Sequence, residues 1–466
     1  MTVVDALSES NQFPVWVEGN AEINAKRESL SGDKSVDVTI VGGGFSGLWT
    51  AYYLLRNSST LRVLIIEKQY CGFGASGRNG GWCKGSVAGS LNRYAKYSSP
   101  ELVNKLQRAM FDAVDEVGNV VMEEDINCGF KKSGVVRLAR NKPQSHRQFD
   151  EVKRARSMGL EPGIIDLLGK DEARTMLNAT DIESAIFFSP AATLNPLRLV
   201  RGLASAVEKL GGQIAEATEV TEIKGTRITT THGSVDSETV VLATEAYTKN
   251  LKGMRRDYIP AYSRMIATEP LSKHLLDEMK LSKGIAFSDD RYSVIYGTLT
   301  EDNRVAFGGR GTPIYQFGSR ISPDAESDKK SHLNVYRTLV DFFPQLEGAV
   351  VTHRWGGVLA IPRNWLPGLR FDNETRTGVL GGYVGSGVAS ANLAGRTMAD
   401  LILNRKTSRT LLPWVGNRSK KWELEPLRSI GVLSSGSILK FADSYETKTG
   451  RTAKTANLVA KLIRGS

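Results

Sequence analysis

Apolar residues recur along the chain with two periods, and the first runs already set the fold class. Residues 36–41 (VDVTIV) are a short β-branched run that ends in three glycines. Such a run reads as a buried strand entering a tight turn. Residues 45–57 (FSGLWTAYYLLRN) follow with helical periodicity, and 61–68 (LRVLIIEK) form a second buried strand ending in an acid. Strand, helix and strand within about thirty residues make the unit from which parallel sheets are built. Ser99-Pro100-Glu101 reads as a helix start, an N-cap with proline in the first turn. Val103, Leu106, Met110, Val114, Val117 and Val121 then recur at three- and four-residue steps, which predicts a long amphipathic helix. Asn195-Pro196 opens another, with Val200, Leu203, Val207 and Leu210 on one face and Gly211-Gly212 at its end. Residues 213–231 alternate as strands do, and 240–248 (VVLATEAYT) read as one more. The stretch 255–350 changes character: strand-like runs at 262–270, 292–299 and 304–310 are joined by polar turns, which predicts a sheet-rich second region. Residues 378–403 return to strand, glycine loop and helix.

The glycines carry the first chemical signal. Gly42, Gly44 and Gly47 form a G-x-G-x-x-G between a predicted strand and a predicted helix. In that context Gly42 permits the tight turn, Gly44 lets the backbone approach a pyrophosphate, and Gly47 allows close helix–strand packing. The helix N-terminus offers N–H groups and a partial positive charge to phosphate oxygens. Glu67, twenty-five residues after Gly42, stands where a carboxylate accepts ribose hydroxyls and repels a 2′-phosphate, which disfavours NADP. These elements fit NAD or FAD alike.

Composition changes the picture only at the edges. A chain of 466 residues with 41% hydrophobic and 24% charged residues is an ordinary globular chain of about two domains. Neither a secretory leader nor an apolar run long enough to span a bilayer is present, and the expected location is the cytoplasm. Three cysteines (Cys71, Cys83, Cys128) without a C-x-x-C pair and five scattered histidines argue against disulfides and a metal centre. Of the formal net charge of +11, the last 51 residues supply +6. They read as a solvated, partly helical appendage, with a basic arm for nucleic acid or anionic lipid as the sharper alternative.

The chain resembles the FAD-dependent oxidoreductase superfamily of D-amino-acid oxidase, glycine oxidase and sarcosine oxidase, and within it the gamma-glutamylputrescine oxidoreductase-like proteins. The motifs that carry the resemblance are DVTIVGGGFSGLWTAYYL with IIEK, GFGASGRNGG, VVLATEAYT and GGYVGSGVASANLAGRTMADLI, spread over residues 13–430. The resemblance implies a Rossmann-type FAD-binding domain of the glutathione-reductase-like kind, with an inserted sheet-rich substrate domain. The FAD domain would take 36–95, 190–250 and 350–405, and the substrate domain 96–189 and 251–349. Residues 1–35 would be an extension and 406–466 the basic appendage. Carried over, Gly42, Gly44, Phe45, Ser46 and Gly47 would hold the pyrophosphate, and Glu67, with Lys68 beside it, the ribose. Ala75, Ser76, Arg78, Asn79, Gly80 and Gly81 would line the phosphate and flavin ring. Val220 would meet the adenine, and Ala243 and Thr244 the AMP portion. Gly385, Ser386, Gly387 and Val388 would close on the flavin pyrimidine edge, where a helix N-terminus stabilises negative charge on reduction.

The activity so implied is oxidation of a C–N bond in a small amine or amino-acid-like substrate. Hydride passes to flavin N5, and the imine is then hydrolysed. Three residues are candidates for the reacting end. Arg310 could fork a substrate carboxylate, Trp355 lies in a segment that approaches flavin in relatives, and Tyr296 shares a predicted strand face with Tyr292. Cys83 follows Trp82 where some relatives attach flavin through histidine, but non-covalent FAD is the expected state. Hydroxy-acid oxidation, an NAD(P)H-using monooxygenase and a redox-inactive dinucleotide-binding protein with a basic tail stay open. So do oxygen or another electron acceptor, and the oligomeric state.

Overall fold

The computed structural model describes residues 5–7, 9–19, 27–309, 314–455 and 458–459. The predicted strand–helix–strand unit is Lys34–Val41, Phe45–Asn57 and Val63–Ile66, its two strands parallel and in register from Val38↔Val63 to Val41↔Ile66. Lys34–Val41 pairs on its other edge with Gly233–Leu242, again in parallel. Gln213–Ala215 extends the sheet beyond Val63–Ile66, and Thr377–Gly381 pairs in parallel beside Gly233–Leu242. Among the described residues this sheet has eight strands, the remainder being antiparallel additions at its edge. Its central strands are apolar on both sides because both are covered: Val38, Ile40 and Ile65 pack against the helices, and Val41, Leu64 and Ile66 in a cluster with Ile228 and Val235 of the antiparallel additions. Phe45–Asn57 packs between Gly387–Ile402 and Pro196–Lys209, and Gly387–Ile402 in turn against Pro100–Glu123.

The caps read from the sequence are made. The Ser99 hydroxyl accepts from Leu102 N at 3.3 Å, and the Asn195 side chain from Leu197 N and Arg198 N at 3.1 Å.

A second sheet, also of eight strands, runs from Val351–Pro362 through Tyr258–Thr268, Val305–Gly309, Ile295–Leu299, Ala286–Asp289 and Val135–Ala139 to Ser184–Phe188 and Ile165–Leu168. All of its pairs are antiparallel except Ala286–Asp289 with Val135–Ala139. The class expected from sequence, a Rossmann-type α/β sheet with a sheet-rich partner, is the class observed. Tyr258–Thr268 is buried along its whole length and pairs with Val351–Pro362 from Tyr258↔Pro362 to Ala267↔His353. That long pair forms a wall facing the first sheet's loops. Among the described residues no helix is long and apolar enough to cross a membrane, and no group of three potential ligand side chains converges as a metal site.

Three expectations are corrected. The strand read over 240–248 ends at Leu242, and Glu245–Asn250 is a short 3₁₀ turn. Tyr292 does not share a strand with Tyr296: the strand begins at Ile295, and Tyr292 lies in the preceding hairpin loop, packed against Leu439 and Ala442. The C-terminal stretch is partly helical and largely exposed, as expected, but it is seated at specific points and not wholly solvated. Trp414 and Trp422 are buried, and the helix Leu427–Thr449 docks through the fully buried Glu446.

Candidate active site

The glycine turn is built as its spacing requires. Gly42 has φ +114°, and a Cβ there would lie 2.6 Å from the Ala243 carbonyl oxygen. A Cβ on Gly47 would sit 2.0 Å from the Gly42 oxygen, so the helix begins against bare backbone. Glu67 closes the turn. Its two oxygens accept from Gly43 N at 2.8 Å and Gln69 N at 2.9 Å. Burial pushes the Glu67 carboxyl above its usual range, and those backbone N–H bonds pull it back. Phe45 N, at the helix start, donates to the Ser76 hydroxyl at 2.9 Å, which ties the first glycine loop to the second.

From this turn a continuous cleft of about 710 Å³ runs between the two sheets, within the roughly 300–1,000 Å³ usual for cofactor and ligand sites. It is lined by Gly42, Gly44, Phe45, Ser46, Glu67, Lys68, Ala75, Ser76, Arg78, Asn79, Gly80, Val220, Ala243, Thr244, Gly385, Gly387 and Val388, together with Tyr296 and Trp355. Gly47, Gly81 and Ser386 stand behind the lining. Gly81 turns with φ +73° against the Leu194 carbonyl, and Ser386 is the residue before the helix Gly387–Ile402. Arg310 lies outside the described residues.

Arg78 sits on the lining with its guanidinium already engaged. Nη1 donates to Glu326 Oε2 at 2.6 Å and to the Gly356 carbonyl at 3.3 Å, over the ring of Phe73. Burial raises the Glu326 carboxyl, and the Arg78 charge opposes that shift. Two indoles fix the backbone of the same loop. Trp355 Nε1 donates to the Arg78 carbonyl and Trp16 Nε1 to the Asn79 carbonyl, both at 2.9 Å, with the two rings edge to face at 6.3 Å. Trp16, within the stretch read as an extension, therefore braces the wall from behind.

Sequence reasoning also missed Gln12, Trp82, Ser263, Glu245, Glu326 and Tyr383, all on the lining. Tyr296 packs where a Cβ on Gly80 would meet its ring at 2.6 Å; its hydroxyl pairs with Ser263 Oγ at 2.7 Å, and its ring meets Trp82 edge to face at 6.1 Å. Tyr383 bonds Ser46 Oγ at 2.9 Å. Its place inside the late glycine motif was the one legible signal for it. Ser263 and Glu326 come together only through the long strand pair, which local patterning does not see.

A parallel sheet with a glycine turn at one strand's carboxyl end, facing a second sheet across a cleft, defines a dinucleotide-cofactor enzyme of two-layer build. The family model described as FAD dependent oxidoreductase (DAO) matches residues 37–401, and the chain belongs to that family. Gamma-glutamylputrescine oxidoreductase of Escherichia coli is 28% identical over 393 residues, 83% of this chain and 88% of that protein. The probable oxidoreductase OrdL of Haemophilus influenzae is 29% identical over 378 residues, 79% of this chain and 83% of the relative. Among solved structures, glycine oxidase of Geobacillus kaustophilus shares the fold with a TM-score of 0.70 at 23% identity, over 83% of this chain and all of that one.

The chain is thus an FAD-dependent oxidoreductase, and the cleft fits the cofactor. Gly42 and Gly44 both line the cleft at the helix N-terminus, where a pyrophosphate would lie, and a Cβ on either would press on the Ala243 carbonyl oxygen at 2.6 Å or Ser76 Oγ at 2.9 Å and displace the turn. Cys83 is fully buried, burial pushes its thiol far up, and it is not on the lining. Acid precipitation of the purified protein is accordingly expected to release all the flavin to the supernatant. A pellet that stays yellow would show a covalent link.

Proposed function

We propose that the enzyme oxidises the C–N bond of a small amine or amino-acid-like substrate, gamma-glutamylated amines being one candidate class. One observation carries the preference over a hydroxy acid: among the described lining residues there is no histidine, and each carboxylate is engaged by a protein donor, with Glu245, whose pKa is pushed up to about 7, engaged on both oxygens. Glu67 holds backbone N–H groups, Glu219 pairs with Lys68, Glu245 accepts from Gly382 and Ala360, and Glu326 pairs with Arg78. Oxidising an alcohol requires a base for the hydroxyl proton as hydride leaves the carbon. An unprotonated amine needs none at that step, because the nitrogen lone pair expels the hydride and the N–H proton departs to water.

The bound FAD supplies the two-electron acceptor. The chain's share is to orient and to dry the substrate. Trp82 and Tyr296 offer ring faces and edges that exclude water, and the Tyr296–Ser263 hydroxyl pair offers a polar handle. The imine left behind is hydrolysed to a carbonyl compound and an amine. The name of the Escherichia coli relative supports a gamma-glutamylated amine, and the glycine oxidase likeness supports the fold alone.

Anaerobic bleaching of the flavin absorbance tests the reading. The panel contains gamma-glutamyl amides, N-methyl amino acids, D-amino acids and alkylamines, with hydroxy acids and NADPH as controls. Rapid bleaching by one amine class, at least 100-fold faster than by any control, is the expected result. Flavin reduced only by NADPH or a hydroxy acid would overturn it. Readmitting air then distinguishes oxygen from another acceptor.

A further inference from the structure

The helix Leu427–Thr449 lies beyond residues 37–401 matched by the family, yet it packs on the hairpin loop that leads into the wall of the cleft. Its two acids both point inward. Asp443 accepts from two consecutive backbone N–H groups of the hairpin loop, Tyr292 N to Oδ1 at 2.7 Å and Ser293 N to Oδ2 at 2.9 Å. Glu446, fully buried, takes Arg147 Nη1 on both oxygens at 2.9 and 3.1 Å and the Tyr292 hydroxyl at 3.3 Å. Arg147 in turn donates to the Asp290 carbonyl at 2.9 Å and lies over the Tyr292 ring. The C-terminal helix thereby holds the loop directly at residues 292 and 293, and at residue 290 through Arg147 of the helix Lys142–Ser157, which Glu446 fixes. It joins the antiparallel strands Ala286–Asp289 and Ile295–Leu299. Directly after it come Val294 and Tyr296, both on the cleft lining.

We infer that this C-terminal helix is part of the substrate site, with Asp443 and Glu446 as positioning residues that clamp the hairpin loop and so set where Val294 and Tyr296 stand in the cleft. The physical case is one of satisfied donors. Two successive loop N–H groups turned from the hairpin need an acceptor, and a carboxylate with one oxygen for each is the strongest available. A buried carboxylate fixed by a guanidinium then locks the helix in one seat, so the loop has one arrangement rather than several. A cleft wall released by about 1 Å costs on the order of 100-fold in a reaction that depends on close apposition. Asp443 and Glu446 make no hydrogen bond to the glycine loops, which the clamp reaches only through Tyr296 against Gly80, so its loss acts first on the substrate end of the cleft.

The substrate-kinetic half of the test rests on the amine-oxidation reading; the exchange half does not. Asp443→Asn and Glu446→Gln keep the helix's size and packing and weaken the clamp, and are compared with the parent as FAD-loaded full chains. Hydrogen exchange of peptides covering 290–299 is expected to quicken at least 10-fold in both variants, with flavin content unchanged. With the amine that bleaches the parent, KM is expected to rise about 10- to 100-fold while the rate of dithionite reduction stays the same. Asp443→Glu is expected to recover part of the loss. Unchanged exchange overturns the clamp, and faster exchange with unchanged kcat and KM overturns its role in the substrate site. If no amine reduces the parent, only the amine reading fails; the same kinetic comparison is then made with whichever hydroxy acid or nicotinamide reduces it.

Discussion

Gly47→Ala is expected to yield protein that has lost its flavin and melts several degrees lower than the parent. Local propensity points the other way, since alanine in a helix is favoured over glycine by about 1 kcal/mol. The packing term decides. The added Cβ would lie 2.0 Å from the Gly42 carbonyl oxygen and 3.1 Å from Ile40 Cγ2, and neither is the end of a flexible side chain. Relief requires the helix Phe45–Asn57 to move off the strand or the Gly42 turn to open, at roughly 2–4 kcal/mol. Either movement withdraws the helix N-terminus from the pyrophosphate. Gly159→Ala is the matched control. Gly159, unlike Gly47, has positive φ, at +76°, and nothing lies within 4 Å of its Cβ position, so only backbone strain of about 1 kcal/mol is added and flavin is retained. Absorbance at flavin wavelengths after gel filtration, with melting curves, reads both effects. A Gly47→Ala protein carrying a full complement of flavin would show that the close approach is not what holds the cofactor.

What the sequence made legible was whatever depends on neighbours in the chain. The strand–helix–strand unit, the caps at Ser99 and Asn195 and the glycine turn are all local, and each was found where expected. Tyr292 shows the limit of that legibility. An even spacing from Tyr296 suggested a shared strand face, but the strand starts three residues later because Asp443, far along the chain, takes the N–H groups of Tyr292 and Ser293 out of the ladder. The seating of the C-terminal stretch was missed for a related reason. Its net charge of +6 is real, but a sum hides pairing. Glu423 pairs with Arg363, Glu425 with Arg428 and the Tyr315 hydroxyl, Glu446 with Arg147, and Asp443 caps the loop. Every acid in the segment has a specific seat, which is the signature of a docked element and not of a wholly solvated tail. Trp16 escaped notice because the apolar run Phe13-Pro14-Val15-Trp16-Val17 is too short to show a period, and its role exists only against Asn79 and Trp355.

Glu245 is the residue whose chemistry the sequence least advertised, and it leads to the second large effect. Its backbone has φ +45°, a left-handed conformation uncommon for a side-chain-bearing residue. Its carboxylate is buried between the two glycine-rich arms of the site, accepting from Gly382 N at 2.6 Å and Ala360 N at 3.3 Å. Burial pushes its pKa up to about 7, and the N–H bonds from Gly382 and Ala360 only partly oppose that. In the unfolded chain the same carboxyl titrates near its ordinary value of 4.5. The folded protein therefore holds a proton that the unfolded chain has already lost between about pH 4.5 and 7. A state that binds the extra proton is favoured as pH falls, so this group lowers stability progressively as pH rises through that window and has no further effect above it. The size follows from a shift of between two and three pH units at about 1.4 kcal/mol each, roughly 3 kcal/mol in all. Glu245→Gln cannot titrate and loses the dependence. Denaturant unfolding of both proteins at pH 5, 6, 7 and 8 is expected to show the parent losing about 3 kcal/mol relative to Glu245→Gln between the ends of the series, with most of the loss below pH 7. Parallel curves would mean that the carboxyl titrates alike in both states and that the 382 loop is not held by a poised charge. A difference that grows by that amount as pH rises would identify a buried, strained carboxylate as the pin between the late glycine loop and the long strand of the second sheet.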